Sequence, residues 1–167
     1  ALNRIFEAGG NVSWALEEFD LGGNSYAKGT YVVESRSIST DVLRSISSDT
    51  HISMQGGNVR ASTARLSQPR LGLYTSWNAS MDGGWTTLIF DRYGIPYSKI
   101  HDAEVKSGSL RERFDVIILP DQNANSIING NQKGMIHPDY AGGITQDGAD
   151  NLKTFVEEGG TIVFNKA

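Results

Sequence analysis

Cysteine is missing from all 167 residues. Its absence removes disulfides, thiolate zinc sites, iron–sulfur clusters and every mechanism that starts from a Cys nucleophile, and leaves the redox compartment open. No stretch approaches the roughly 20 apolar residues that span a bilayer, so a membrane is not an expected partner. Basic residues are the minority, 15 Lys+Arg against 19 Asp+Glu for a net charge of −4. They form no stripe that could track phosphates, so nucleic acid is not an expected partner either. There is no internal repeat and no low-complexity tract. An initiating Met and a signal peptide are also lacking, and the last strand-like run, Thr161 to Phe164, is followed by only three residues. The chain therefore reads as a piece of something longer, truncated at its C-terminus, and says nothing by itself about localisation.

What is present suits a globular α/β protein. With 38% hydrophobic residues, a chain of this length buries about two-thirds of its unfolded surface on folding. The Ser/Arg-rich stretch 59–69 has no apolar periodicity and ends in Pro69, so it reads as a linker. It separates a small α+β segment, 1–58, from an α/β domain, 70–167. Upstream, Leu2, Ile5 and Phe6 mark a helix ended by Gly9-Gly10. Val12 to Phe19 and Tyr31 to Val33 read as two strands joined by a long hairpin-like connection, with Trp14, Phe19 and Tyr31 as core residues. Thr40 is the expected N-cap of a helix with Val42, Leu43 and Ile46 on one face, and His51 to Met54 a further short strand.

Downstream, apolar strands alternate with helices. Leu71 to Tyr74 is a buried strand. Asp82 to Tyr93 is a helix with Trp85, Leu88, Ile89 and Phe90 facing inward, closed by Gly94. Tyr97 to Ile100 is a strand, Asp102 to Lys106 a single turn of helix, and Phe114 to Leu119 the strongest strand, apolar enough to be covered on both faces. After Pro120 comes a long polar loop, then a helix capped by Thr145 or Asp147 through Leu152, Phe155 and Val156, and the strand Thr161 to Phe164. Such alternation means a parallel, doubly wound sheet with right-handed crossovers.

Several phrases are long and unusual: Pro69-Arg-Leu-Gly-Leu-Tyr-Thr-Ser-Trp-Asn-Ala-Ser-Met-Asp-Gly-Gly-Trp85, Tyr93-Gly-Ile-Pro-Tyr97, Arg113-Phe-Asp-Val-Ile-Ile-Leu-Pro-Asp-Gln122, His137-Pro-Asp-Tyr-Ala-Gly-Gly143 and Leu152-Lys-Thr-Phe-Val-Glu-Glu-Gly-Gly-Thr161. With Asn11-Val-Ser-Trp14 and Gly29-Thr-Tyr-Val-Val33, they resemble the C-terminal region of large bacterial zinc carboxypeptidases of the M14 family, where a class I glutamine-amidotransferase-like, flavodoxin-like domain follows the peptidase domain. The resemblance implies a non-catalytic accessory domain of a secreted or periplasmic enzyme, packing on the peptidase domain or binding substrate. Zinc would sit in that parent domain and no cofactor in this chain. Active amidotransferases of this class place a Cys on a strand-to-helix elbow; here Pro120-Asp121-Gln122-Asn123 stands in its place, and Ser126 lacks a Gly-x-Ser-x-Gly frame. His101-Asp102-Ala103-Glu104 matches the family's His-x-x-Glu zinc pair only as a short pattern of common residues, outside any peptidase domain. The alternative reading is a small-molecule-binding or hydrolytic domain on the same scaffold.

For a sheet ordered 2-1-3-4, ligands collect beyond the carboxyl ends of the first and third strands. That puts Thr75, Ser76, Trp77, Asn78 and Asp82 opposite Asp121 and Gln122, with Asp139-Tyr140 near the same crevice. One reading is a small-molecule or peptide-end pocket, with helix-start amides receiving an anion and Trp77 stacking on the ligand. The other is structural: Asp82 an N-cap, Trp85 a core residue, Trp77 a domain contact, and Asp121 and Gln122 satisfying loop amides. The strand Val116 to Leu119 should be central and the most buried. Thr161 to Phe164 should be an open edge that invites self-association.

Overall fold

The computed structural model describes residues 1–165, which form two compact units, one ending at Gln68 and the other starting at Pro69. The first contains α1 (Leu2–Glu7), β1 (Val12–Ala15), β2 (Phe19–Leu21), β3 (Asn24–Tyr26), β4 (Tyr31–Val33), α2 (Thr40–Thr50) and β5 (Thr63–Arg65). An antiparallel sheet ordered β4-β1-β5 holds Val12 against Ile5, Ile38 and Ile46, while β2 and β3 form a separate hairpin.

Several expectations for this unit need correcting. The anticipated strand from Val12 to Phe19 is two strands, because the chain leaves the sheet after Ala15 and Phe19 joins the hairpin, stacked on Tyr26 at 5.3 Å. Trp14 and Tyr31, expected in the core, stand opposite each other in register yet are about half exposed; smaller Ile and Val side chains fill the core instead. Ser39, not Thr40, caps α2, its hydroxyl accepting from Val42 N–H, and Val42 is exposed. No strand forms at His51 to Met54. His51 takes the left-handed conformation that ends α2, and the N–H groups of His51 and Ile52 go to the Ser48 and Ser47 carbonyls. The stretch read as linker instead supplies β5, paired with β1.

The second unit runs β6 (Leu71–Tyr74), α3 (Met81–Tyr93), β7 (Ser98–Ile100), α4 (Asp102–Ser107), α5 (Leu110–Arg113), β8 (Val116–Leu119), α6 (Ala124–Ile128), a 3₁₀ turn (Pro138–Tyr140), α7 (Thr145–Glu157) and β9 (Thr161–Phe164). Its four strands are all parallel in the order β7-β6-β8-β9, the expected 2-1-3-4, and compatible with a flavodoxin-like fold. β8 is central and β9 is an edge among the described residues. The most buried strand is β6 rather than β8: Gly72, Leu73 and Tyr74 are all buried, whereas Val116 and Ile118 of β8 are only partly covered. Gly72 belongs there because a Cβ would stand 3.3–3.4 Å from Ile100, Phe114 and Ile117 side-chain atoms.

Side chains alternate across the sheet, so the register puts Gly72, Tyr74, Ile100, Ile117, Leu119 and Ile162 on one face. That face meets Val105 of α4, Leu110 of α5 and Leu152 and Phe155 of α7 in the main core. The crossover from β6 to β7 runs across the sheet in the opposite direction to the two that follow, and right-handed connections therefore place α3 alone on the other face.

The interior of α3 is not as expected. Gly83, Thr86, Thr87 and Phe90 are the partly buried positions, while Trp85, Leu88 and Ile89 are about half exposed. Glycine and threonines line the sheet side, so the larger apolar stripe is left outside. The α7 start also departs from expectation, for neither Thr145 nor Asp147 caps it with a side chain. Gly143 lies against the Ile127 and Ile128 carbonyls, Ile144 donates its N–H to Ile127 O, and Thr145 enters the helix at φ +59. Val156, expected inside, is about half exposed. The polar loop after β8 conceals α6, capped by Asn123 through Ser126 N–H at 2.8 Å.

Candidate functional site

Parallel strands end together, so the residues following β6, β7 and β8 meet at the carboxyl edge of the sheet. Thr75 leaves β6 with its N–H on Ile100 O. His101, the first residue past β7, returns its Nδ1–H to Thr75 O at 2.6 Å. That bond fixes the ring beside the 75–78 loop, and since a carbonyl can only accept, it leaves Nε2 as the nitrogen facing other partners. Trp77 then lies flat on the imidazole, ring centres 4.1 Å apart and planes 5° from parallel. Tyr140 meets Trp77 edge-on at 4.7 Å, and His137 tilts against Tyr140 at 5.9 Å. Four rings from three different loops thus form one aromatic cluster, in which Trp77 and Tyr140 stay partly open to solvent.

Beneath it lies a buried polar pair. The Tyr74 hydroxyl donates to Asp102 Oδ1 at 2.6 Å, and Asp102 is itself 5% exposed. Burial, and secondarily the Asp102 carboxylate that accepts its proton, raises the Tyr74 hydroxyl well above the ordinary tyrosine range. The Glu104 carboxylate folds back to accept from His101 N–H at 2.7 Å at the start of α4. The His-x-x-Glu spacing here is a helix start, with the imidazole directed to Thr75 and the carboxylate to the backbone. Among the described residues, no three His, Asp or Glu side chains gather as a metal-binding group.

The residues singled out from the sequence divide into two sets. Of the 75–78 loop, Asn78 meets Gln122, while Asp121 is reached by Ser80 just beyond it. The Ser80 hydroxyl donates to Asp121 O at 3.1 Å, the Gln122 amide donates to Asn78 O at 3.3 Å, and Ser76 Oγ accepts from Asn78 N–H at 3.1 Å. The first two bonds tie the two loops together across the switch point, and the third holds the turn within the 75–78 loop. Asp82 lies apart, exposed on α3, and it is not the cap: Ser80 Oγ accepts from Gly83 N–H and Ser80 O from Gly84 N–H. With those amides taken, the helix start offers an anion less than the sequence implied.

Sequence reasoning did not place His101 and His137 in the cluster, nor pair Tyr74 with Asp102. The available signal was position, since His101 directly follows an apolar strand that ends at the carboxyl edge. The 131–141 loop is brought to the site by a backbone neck. Asn131 pairs with Gly142, and a Cβ on Gly130 at φ +60 would fall 1.7 Å from Gly142 O. Comparison with protein-family models, curated proteins and solved structures gives no match to this chain.

Proposed function

We propose that this chain is a non-catalytic accessory domain on a class I glutamine-amidotransferase-like scaffold, part of a secreted or periplasmic bacterial zinc carboxypeptidase of the M14 type. The zinc and the peptidase chemistry belong to the parent's peptidase domain, which is this chain's partner. The carboxyl-edge crevice, walled by Trp77, is where a peptide or small-molecule ligand is held. One observation carries the reading. At the end of β8, where an amidotransferase presents its nucleophile, Pro120-Asp121-Gln122 offers neither thiol nor hydroxyl, and Asp121 and Gln122 instead brace the loop after β6. Ser126, the nearest hydroxyl, sits in α6 with no hydrogen bond to a histidine among the described residues.

The test is an activity measurement on the purified chain with glutamine and with a blocked peptide bearing a free C-terminus. The expected result is no release of ammonia or amino acid above blank. Turnover that follows the protein through purification and vanishes in Ser126→Ala would replace this reading with the hydrolytic one. Sequencing upstream of Ala1 tests the parent: a His-x-x-Glu pair with a distant His supports it, and an unrelated neighbour overturns it.

A further inference from the structure

Helix α3 carries its apolar stripe on the wrong side for a helix that only covers a sheet. At about 100° per residue, Met81, Trp85, Leu88 and Ile89 fall within roughly 60° of one direction, opposite to Gly83, Thr87 and Phe90. Met81 is 79% exposed and Trp85 57%. Trp and Met are residue types enriched in the cores of protein interfaces. Asp82 flanks the outward stripe near its N-terminal end, and Arg92 lies on it near its C-terminal end. Neither has an ion-pair partner among the described residues, whereas the neighbouring Asp91 is occupied by the Tyr97 hydroxyl.

We propose that this face binds a second copy of the chain, two α3 helices packing antiparallel about a two-fold axis level with Thr87. Opposite charges at the two ends of one apolar stripe complement an identical stripe only when it runs the other way. In that arrangement Asp82 of each copy stands beside Arg92 of the other, and Trp85 packs on Ile89. A closed two-fold contact uses the same patch on both copies and leaves nothing exposed for further addition. A 13-residue helix is about 20 Å long, so the contact falls below the roughly 800 Å² per partner of a stable complex. By size alone it belongs with the small, transient contacts.

Sedimentation equilibrium on the intact chain from low micromolar to about 1 mM tests this, with circular dichroism to confirm that each variant is folded. The expected result is a monomer–dimer equilibrium weakened at least tenfold by Trp85→Ala. Asp82→Arg and Arg92→Asp, each alone, should also weaken it, since each puts like charges together twice. Mixing the two variants should restore association, because the mixed dimer regains both opposite-charge contacts. A monomer throughout the range overturns the proposal, as does a mixture that associates no better than its components. A dimer indifferent to the α3 variants but abolished by Val163→Lys overturns it in favour of pairing through the β9 edge.

Discussion

The two faces of the parallel sheet are built from the same four strands and finished differently. On one face α4, α5 and α7 turn Val105, Leu110, Leu152 and Phe155 inward onto Ile100, Ile117 and Leu119, all buried. On the other a single helix presents glycine and threonine to the sheet and leaves Trp85 and Leu88 outside. A helix is about 10 Å across and strands are about 4.8 Å apart, so one helix covers about two of four strands. The partial exposure of Val116, Ile118 and Val163 follows. The lesson is that apolar residues on a helix mark a face that will be covered, without saying whether the sheet or another molecule covers it.

The sharpest way to break this contrast is to truncate a ring on each side. Phe155→Ala should cost about 3–5 kcal/mol by urea unfolding, since Phe155 is 1% exposed at the centre of the filled face. A loss under about 1 kcal/mol would mean the filled face is not what holds the unit together. Next in size is Tyr74→Phe, which leaves the buried Asp102 carboxylate without its hydroxyl donor and should cost about 1–3 kcal/mol. Because the Tyr74 hydroxyl is raised in the folded state, its contribution is complete below the ordinary tyrosine range, near pH 10, and is lost as pH rises further. Unfolding midpoints from pH 8 to 11 should fall more steeply in the wild type than in Tyr74→Phe.

A smaller effect belongs to neither face. Arg70, through side-chain and backbone bonds, and Arg111 hold the Asp115 carboxyl well below the usual carboxylate range. Its contribution is present above about pH 4 and is lost as pH falls below that, so Asp115→Asn should flatten the acid limb of the stability curve. Equal acid sensitivity in both proteins would remove the carboxyl from the account. Smallest of all, Trp85→Ala should change stability by no more than about 0.5 kcal/mol when unfolding is measured at low micromolar concentration. A large loss there would show that α3 is held from outside even in the monomer.

Much of the sheet was readable because β6 and β8 are apolar at nearly every position, as strands covered on both faces must be. Where periodicity alone had to decide, it fell short for physical reasons. In α3 the apolar stripe reads as the inner one, because a helical period fixes an angle and not the side facing the core. β5, Thr63–Arg65, carries no apolar signal and exists because β1 offers it an edge. α6 is five residues inside a polar stretch and exists through its Asn123 cap and the burial of Ile127. That the loops after β6 and β8 lie side by side followed from topology. The stacking of Trp77 on His101 did not, since it depends on one hydrogen bond, His101 to Thr75, between residues 26 apart.

The neck at Gly130, Gly142 and Gly143 makes the intervening loop a cassette. At Gly130 and Gly143 its ends are joined by backbone contact that no side chain could share, so the neck itself is closed by main chain. Loop entropy rises by only about 0.6 kcal/mol for each doubling of length. Residues 132–136 can therefore be exchanged or lengthened at little cost, provided His137 and Tyr140 keep their ring contacts. An engineer wishing to display a foreign peptide above the sheet, beside Trp77, has a socket already cut for it.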